Sequence, residues 1–129
     1  MKYILKKETK PTLTTFGKYK AVASHHQTVG SEDIIKEVSQ LSSLSEGTVI
    51  SIMSSLSEVI NRHLRQGDKV RLPDLGLLKL EIESDKVDAP TSFKATQHIR
   101  GVRLHFLPES EKGKPELYKD IKFERELFV

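Results

Sequence analysis

Cysteine and tryptophan are absent from this 129-residue chain. Without thiols, a disulfide framework, a thiolate zinc site and a cysteine nucleophile are excluded, while the redox compartment stays undetermined. No apolar run approaches the roughly 18 residues that a membrane-spanning helix needs. The opening Met1-Lys2-Tyr3-Ile4-Leu5-Lys6-Lys7 lacks the long apolar stretch of a secretory signal, so a cytoplasmic location is expected. Also missing are a glycine-rich phosphate loop, a nucleophile elbow, a His-Glu-x-x-His pair and an obvious carboxylate pair in a buried setting. No enzymatic activity and no cofactor are therefore expected. The histidines His25, His26, His63, His98 and His105 do not fall three or four residues from one another or from a carboxylate on a helix, and no metal is expected to bind them.

Hydrophobic residues are scarce as well, at 36%, against 30% charged. A chain of this size has room for one small domain and none for a large barrel or a two-domain dehydrogenase. Its core is marginal for a monomer, and part of the apolar surface is expected to be buried against a partner chain, as in a homodimer. The net charge of +3 is unevenly spread: residues 1–30 hold six lysines against one glutamate, while residues 31–66 hold three basic against five acidic groups. Residues 67–107 carry seven against six and 108–129 five against six. A basic N-terminal region permits a nucleic-acid partner without requiring one.

Residues 1–7 and Tyr19–Ala23 are rich in strand formers and predict two short strands, joined by a loop containing Pro11, Gly17 and several threonines. From Thr28 the period becomes helical. Ile34, Ile35, Val38 and Leu41 share a face behind Ser31, Glu32 and Asp33, predicting a helix over about 32–42. Ser45 caps a second helix of about twenty residues that stops at Gln66-Gly67. Its stripe of Val49, Ile52, Met53, Leu56, Val59, Ile60 and Leu64 is wide enough for more than one neighbour. Val70 and Leu72, then Leu75 to Ile82, alternate about Pro73-Asp74 and Gly76 as a tight hairpin, and Ile99, Val102, Leu104 and Phe106 supply a third strand. The polar, weakly patterned segment 83–97 between them reads as a protruding loop or ribbon. Ser110 to Ile121 predicts a short terminal helix, and the apolar tail of Phe123, Leu127, Phe128 and Val129 is expected to be docked.

The order of these elements, together with the run Arg65-Gln66-Gly67-Asp68-Lys69-Val70-Arg71-Leu72-Pro73-Asp74-Leu75-Gly76-Leu77-Leu78-Lys79-Leu80, resembles the bacterial histone-like HU/IHF family over roughly 28–120. That family shows a Gly, charged, Lys, Val step and an apolar-Gly-x-Phe turn after its second helix. Here Leu75 and Leu78 stand where the turn is usually aromatic. The resemblance implies an α+β fold: an intertwined dimer with a helical pair, a three-stranded sheet and a protruding β-ribbon arm at about 83–98. It further implies that residues 1–27 are an N-terminal extension with extra strands and 28–129 the HU-like DNA-binding domain. Gly67, Gly76 and Leu78 correspond to turn and strand positions that shape a DNA saddle. The implied function is that of a histone-like nucleoid protein that binds double-stranded DNA with little sequence preference and bends or compacts it.

For such a function Lys69, Arg71, Lys79, Lys86, Lys94, Arg100 and Arg103 are the candidate phosphate contacts, because ammonium and guanidinium groups on strands or an arm release the duplex's counterions. Lys79 is expected to point away from Leu78 and Leu80. The alternative reading makes these residues solvated strand positions partnered by Asp68, Glu81 and Glu83. Pro90 is either a minor-groove wedge or a plain turn former. The family's usual Arg-Asn-Pro-x-Thr-Gly tip is replaced by Asp88-Ala89-Pro90-Thr91-Ser92, with Asp85 and Asp88 placed where phosphate would repel them. Phe93 stacks, wedges or folds back. The cluster Lys2, Lys6, Lys7, Lys10, Lys18 and Lys20 either adds phosphate contacts or guards a sheet edge. The alternative function is a dimeric structural or protein-interaction module with an HU-like core and weak or no DNA binding.

Overall fold

Ser45 and Gly67 bracket the longest element of the computed structural model, which describes residues 1–111 and 114–127. Helix α2 spans Glu46–Arg65, and the Ser45 hydroxyl accepts the Thr48 N–H at 3.1 Å, meeting one of the donors a helix start leaves open. At the other end Gly67 adopts φ +90, and the N–H groups of Gly67 and Asp68 donate to the Leu64 and His63 carbonyls at 3.0 and 3.1 Å. This is a Schellman stop, which a residue with a Cβ closes poorly. Helix α1, Ser31–Ser42, precedes it as expected, with Glu32 and Asp33 in its first turn. Between the helices Ser43 takes a positive φ of 61, while the Ser39 and Ser42 hydroxyls donate to the Leu44 and Val38 carbonyls.

The chain divides into two units, residues 1–34 with residues 119 onward, and residues 35–118. In the second unit β3 (Val70–Leu72), β4 (Gly76–Ser84) and β5 (Ile99–Pro108) form an antiparallel sheet in the order β3-β4-β5. Helix α2 packs on β3 and β4. Its stripe does split between two environments: Val49 and Leu64 are buried, whereas Ile52, Leu56 and Val59 stay exposed. Those two are the buried hydrophobic side chains among the described residues. The first unit holds β1 (Lys2–Lys7) and β2 (Tyr19–Ala23) at the expected places, antiparallel with Lys6 opposite Lys20. A third strand, β8 (Glu124–Arg125), lies parallel to β1 on its other side.

Three expectations are corrected. Pairing of β4 with β5 ends at Ser84 opposite Ile99, so residues 85–98 are no β-ribbon. They fold instead into a 3-10 turn at Pro90–Ser92 and a one-turn helix, α3, at Ala95–His98, because Pro90 supplies no ladder N–H and its fixed φ suits the first position of a helical turn. The terminal helix expected over 110–121 is absent from its described residues. Strands β6 (Ser110–Glu111) and β7 (Lys114–Pro115) pair antiparallel, and a 3-10 turn follows at Glu116–Tyr118. Pro115 in the middle of that stretch removes a helical N–H and clashes with the preceding turn. The C-terminal tail docks through its backbone, Glu124 and Glu126 donating to the Met1 and Tyr3 carbonyls, yet Phe123 and Leu127 are exposed. Phe128, Val129 and Gly113 lie outside the described residues.

The hairpin between β3 and β4 turns through Pro73 and Asp74, the latter at φ 61, with the Leu75 N–H donating to the Leu72 carbonyl at 3.2 Å. Gly76 then enters β4 at φ +154, facing Pro108. A Cβ there would collide with the Leu107 carbonyl oxygen and come within 2.9 Å of Phe106 Cε2. Gly76→Ala is expected to cost about 3 kcal/mol, the sum of a forbidden backbone region and an overpacked contact against main chain. Urea unfolding measures it, and a loss under about 0.5 kcal/mol, the range of ordinary surface changes, would mean that this turn relaxes freely.

Candidate nucleic-acid interface

Alternation along β4 and β5 sorts their side chains onto two faces. Leu78 opposite Phe106, Leu80 opposite Leu104 and Ile82 opposite Val102 make one face apolar. Lys79 opposite His105 and Glu81 opposite Arg103 make the other charged, with Lys79 out of phase with Leu78 and Leu80 as expected. The apolar face is open: Ile82, Val102 and Leu104 are 64%, 61% and 55% exposed.

On the charged side most candidate cations already have carboxylate partners. Arg71 Nη1 donates to both oxygens of Glu109 at 2.8 Å, and Arg100 Nε donates to Asp85 Oδ1 at 2.5 Å. Arg100 is the extra residue at the register shift between Glu83 and Ser84, and this bulge aims it at Asp85. Glu81 bridges two cations, Arg103 at 3.3 Å and Lys79 at 3.4 Å, and Glu83 lies 4.0 Å from Arg103. The partners Glu81 and Glu83 were legible as strand neighbours. Glu109 and Asp85 were not, and Asp68 pairs with His63 at 2.9 Å instead. Lys69, Lys86 and Lys94 are exposed, with no carboxylate in ion-pair reach among the described residues.

The Arg103 hydrogen bond, aided by His105 and Lys79, holds the Glu81 carboxyl below its usual range against a smaller opposing effect of burial. Asp85 in turn holds Arg100 more firmly protonated. A depressed carboxyl contributes its ion pairs at neutral pH and loses them as pH falls through its lowered value. At pH 7 Glu81 is thus ionised and competes with any phosphate for Arg103 and Lys79. Glu81→Gln is expected to tighten binding to a duplex by about 3- to 10-fold at low salt, from one removed charge and two released cations. The gap between variant and parent should close on acidification below the ordinary carboxylate range. Fluorescence anisotropy with labelled DNA reads both, and a weaker-binding variant would rule out this competition.

The loop 85–98 is closed at its base, where the Asp85 N–H donates to the His98 carbonyl at 2.8 Å. His98 also organises the inside: its Nδ1 accepts the Lys94 N–H at 2.9 Å, and its ring lies 5.4 Å from that of Phe93, which therefore folds back. Nothing in the local sequence announced that role for His98. Pro90 occupies the first position of the 3-10 turn, and Lys86 and Lys94 flank it on the same loop. Among the described residues no group of three or more His, Asp or Glu side chains is placed to hold a metal. No helix there is long and apolar enough to cross a membrane.

A two-helix, three-stranded unit with a charged sheet face and a loop at its far end can be set against known proteins. A family model described as an HU domain fused to a wHTH, Ig or glycine-rich motif, HU-HIG, matches residues 1–125. The chain belongs to the HU-HIG family. The HU resemblance read from Gly67-Asp68-Lys69-Val70 and Leu75-Gly76-Leu77 therefore holds at family level, and the HU-HIG match takes in the N-terminal strands as well. No curated protein matches the chain. Among solved structures, a "Putative bacterial DNA binding protein" from Bacteroides vulgatus ATCC 8482 shares the fold, with a TM-score of 0.63 at 15% identity. That match covers 96% of this chain and 47% of the other, so this HU-HIG chain spans about half the length of its structural relative.

Proposed function

We propose that the protein is a histone-like, largely sequence-nonspecific binder of double-stranded DNA that acts as a homodimer. One observation carries this reading: a sheet whose apolar face stays open while Val49 and Leu64 are the buried hydrophobic side chains among the described residues, set back to back with a charged face. Two copies that pool their apolar sheet and helix surfaces would bury them and leave the charged faces outward. Lys69, Lys86 and Lys94 then make the first phosphate contacts, and Arg71, Lys79, Arg100 and Arg103 exchange carboxylate for phosphate. The loop 85–98 takes the part of an arm, with Pro90 at the minor groove. Phosphate contacts carry no base information, so binding is indifferent to sequence, and bending or compaction in the nucleoid follows from the deformability of the duplex. In this reading 28–129 is the DNA-binding domain, 1–27 is its extension, and no reaction is catalysed.

A second reading is favoured by the four paired cations: an HU-like dimer used for protein interaction, with its basic groups neutralised internally. Titration of linear, nicked and four-way DNA at two salt concentrations separates the two. Binding to all three that weakens steeply with salt supports the first reading. Affinity that stays flat with salt overturns its phosphate mechanism, and no shift from an intact dimer supports the second reading.

A further inference from the structure

The N-terminal sheet carries a charge arrangement that the proposed saddle does not use. Lys6 of β1 lies directly opposite Lys20 of β2, and Lys18 lies just before β2, where its carbonyl accepts the Glu8 N–H at 2.8 Å. Like charges facing each other across antiparallel strands destabilise the pair. No carboxylate comes within ion-pair reach of these three among the described residues. Those nearby are otherwise engaged or sit at the far end. Glu8 accepts the Lys10 N–H at 3.0 Å, and Glu126 accepts the Ser24 hydroxyl at 2.5 Å and lies 3.5 Å from His26. Glu124 stands beside Lys2, in register.

Guarding the sheet edge accounts for a lysine on β2, which is an edge strand. It does not account for Lys6 directly across from it, which adds repulsion without adding protection. The opposite face is apolar over Tyr3, Leu5, Ala21 and Ala23, which line a groove with Met1 and Phe123, and it ends at Lys7 opposite Tyr19. Ile4 and Val22 share the lysine face but are half-buried, so that face offers little exposed apolar surface to a lipid, where cations and exposed apolar groups share one side. A polyanion with regularly spaced charges fits the lysine face alone.

We propose that Lys6, Lys18 and Lys20 form a second phosphate-binding surface for duplex DNA, built by the N-terminal strands. This rests on the DNA-binding reading above. The test compares the full chain with Lys6→Gln/Lys18→Gln/Lys20→Gln and, separately, with Lys69→Gln/Lys86→Gln/Lys94→Gln, by anisotropy across a salt series. The N-terminal triple is expected to reduce the steepness of log K against log salt by about 3, and to weaken binding roughly 100-fold at 0.15 M salt, as the removal of three lysine–phosphate pairs would. Its circular dichroism should be unchanged and its melting temperature equal or higher, since a repulsion has been removed. Unchanged affinity in this triple with loss in the other overturns the inference and leaves the saddle standing. Loss in this triple with none in the other keeps the inference and removes the saddle. Larger oligomers with unchanged affinity would mark the lysines as edge guards, capture by anionic vesicles but not DNA would mark a lipid surface, and a parent that binds no DNA ends both proposals.

Discussion

Exchanging Lys69, Lys86 and Lys94 together for glutamine is expected to weaken binding to linear duplex roughly 100-fold at 0.15 M salt and to flatten the salt dependence by about 3, one step for each phosphate no longer neutralised. These three lysines are exposed and hold no ion pair among the described residues, so each can meet a phosphate without first leaving a carboxylate. The neighbouring arginines cannot. Arg103 must leave Glu81 at 3.3 Å, and Arg71 must leave both oxygens of Glu109, before either can reach DNA. A paired cation that changes partners gains only the difference between two interactions, so Arg103→Gln should cost less than Lys94→Gln. Anisotropy titrations at three salt concentrations check both statements. If the lysine triple binds as the parent does, the sheet face and its loop do not hold the duplex.

Leu104→Asp is expected to convert the proposed homodimer to monomer, with the loss of DNA binding that follows. Leu104 is 55% exposed in the single chain, and a change at such a position is worth at most about 0.5 kcal/mol if it truly faces solvent. Buried at a dimer seam, the same aspartate is an unpaired charge in an apolar setting and costs several kcal/mol. The two cases differ so widely that sedimentation velocity decides between them at one protein concentration. A dimer that persists with parent-like stability would place the seam elsewhere, and Ile52, Leu56 and Val59 on the open side of α2 would be the next residues to change.

What could be read from the sequence was set by short-range chemistry. Ser45 and Gly67 fix the ends of α2 because cap and stop are made by residues within one turn of the helix. The strands followed from alternation, and even the phase of Lys79 came with it. The misreadings share a cause as well. The ribbon arm at about 83–98 rests on analogy, whereas Pro90 and the bond from the Lys94 N–H to His98 Nδ1 fold residues 85–98 into turns. The helix expected at 110–121 rests on spacing alone and gives too little weight to Pro115. The pairings of Arg71 with Glu109 and Arg100 with Asp85 join residues 38 and 15 apart, a separation at which no periodicity signals a contact.

The parallel seat of β8 beside β1 also bears on the order in which the chain assembles. The Met1 amino group donates to the Lys122 carbonyl at 2.6 Å across 121 positions. Closing a ring of that size from an open coil costs roughly 4 kcal/mol in chain entropy, while β1 and β2 meet over a far shorter span. Prior collapse of the intervening stretch shortens the ring and lowers that cost. Pairing of β8 is thus expected to come late in folding, with its two residues the first to exchange their amide protons on unfolding.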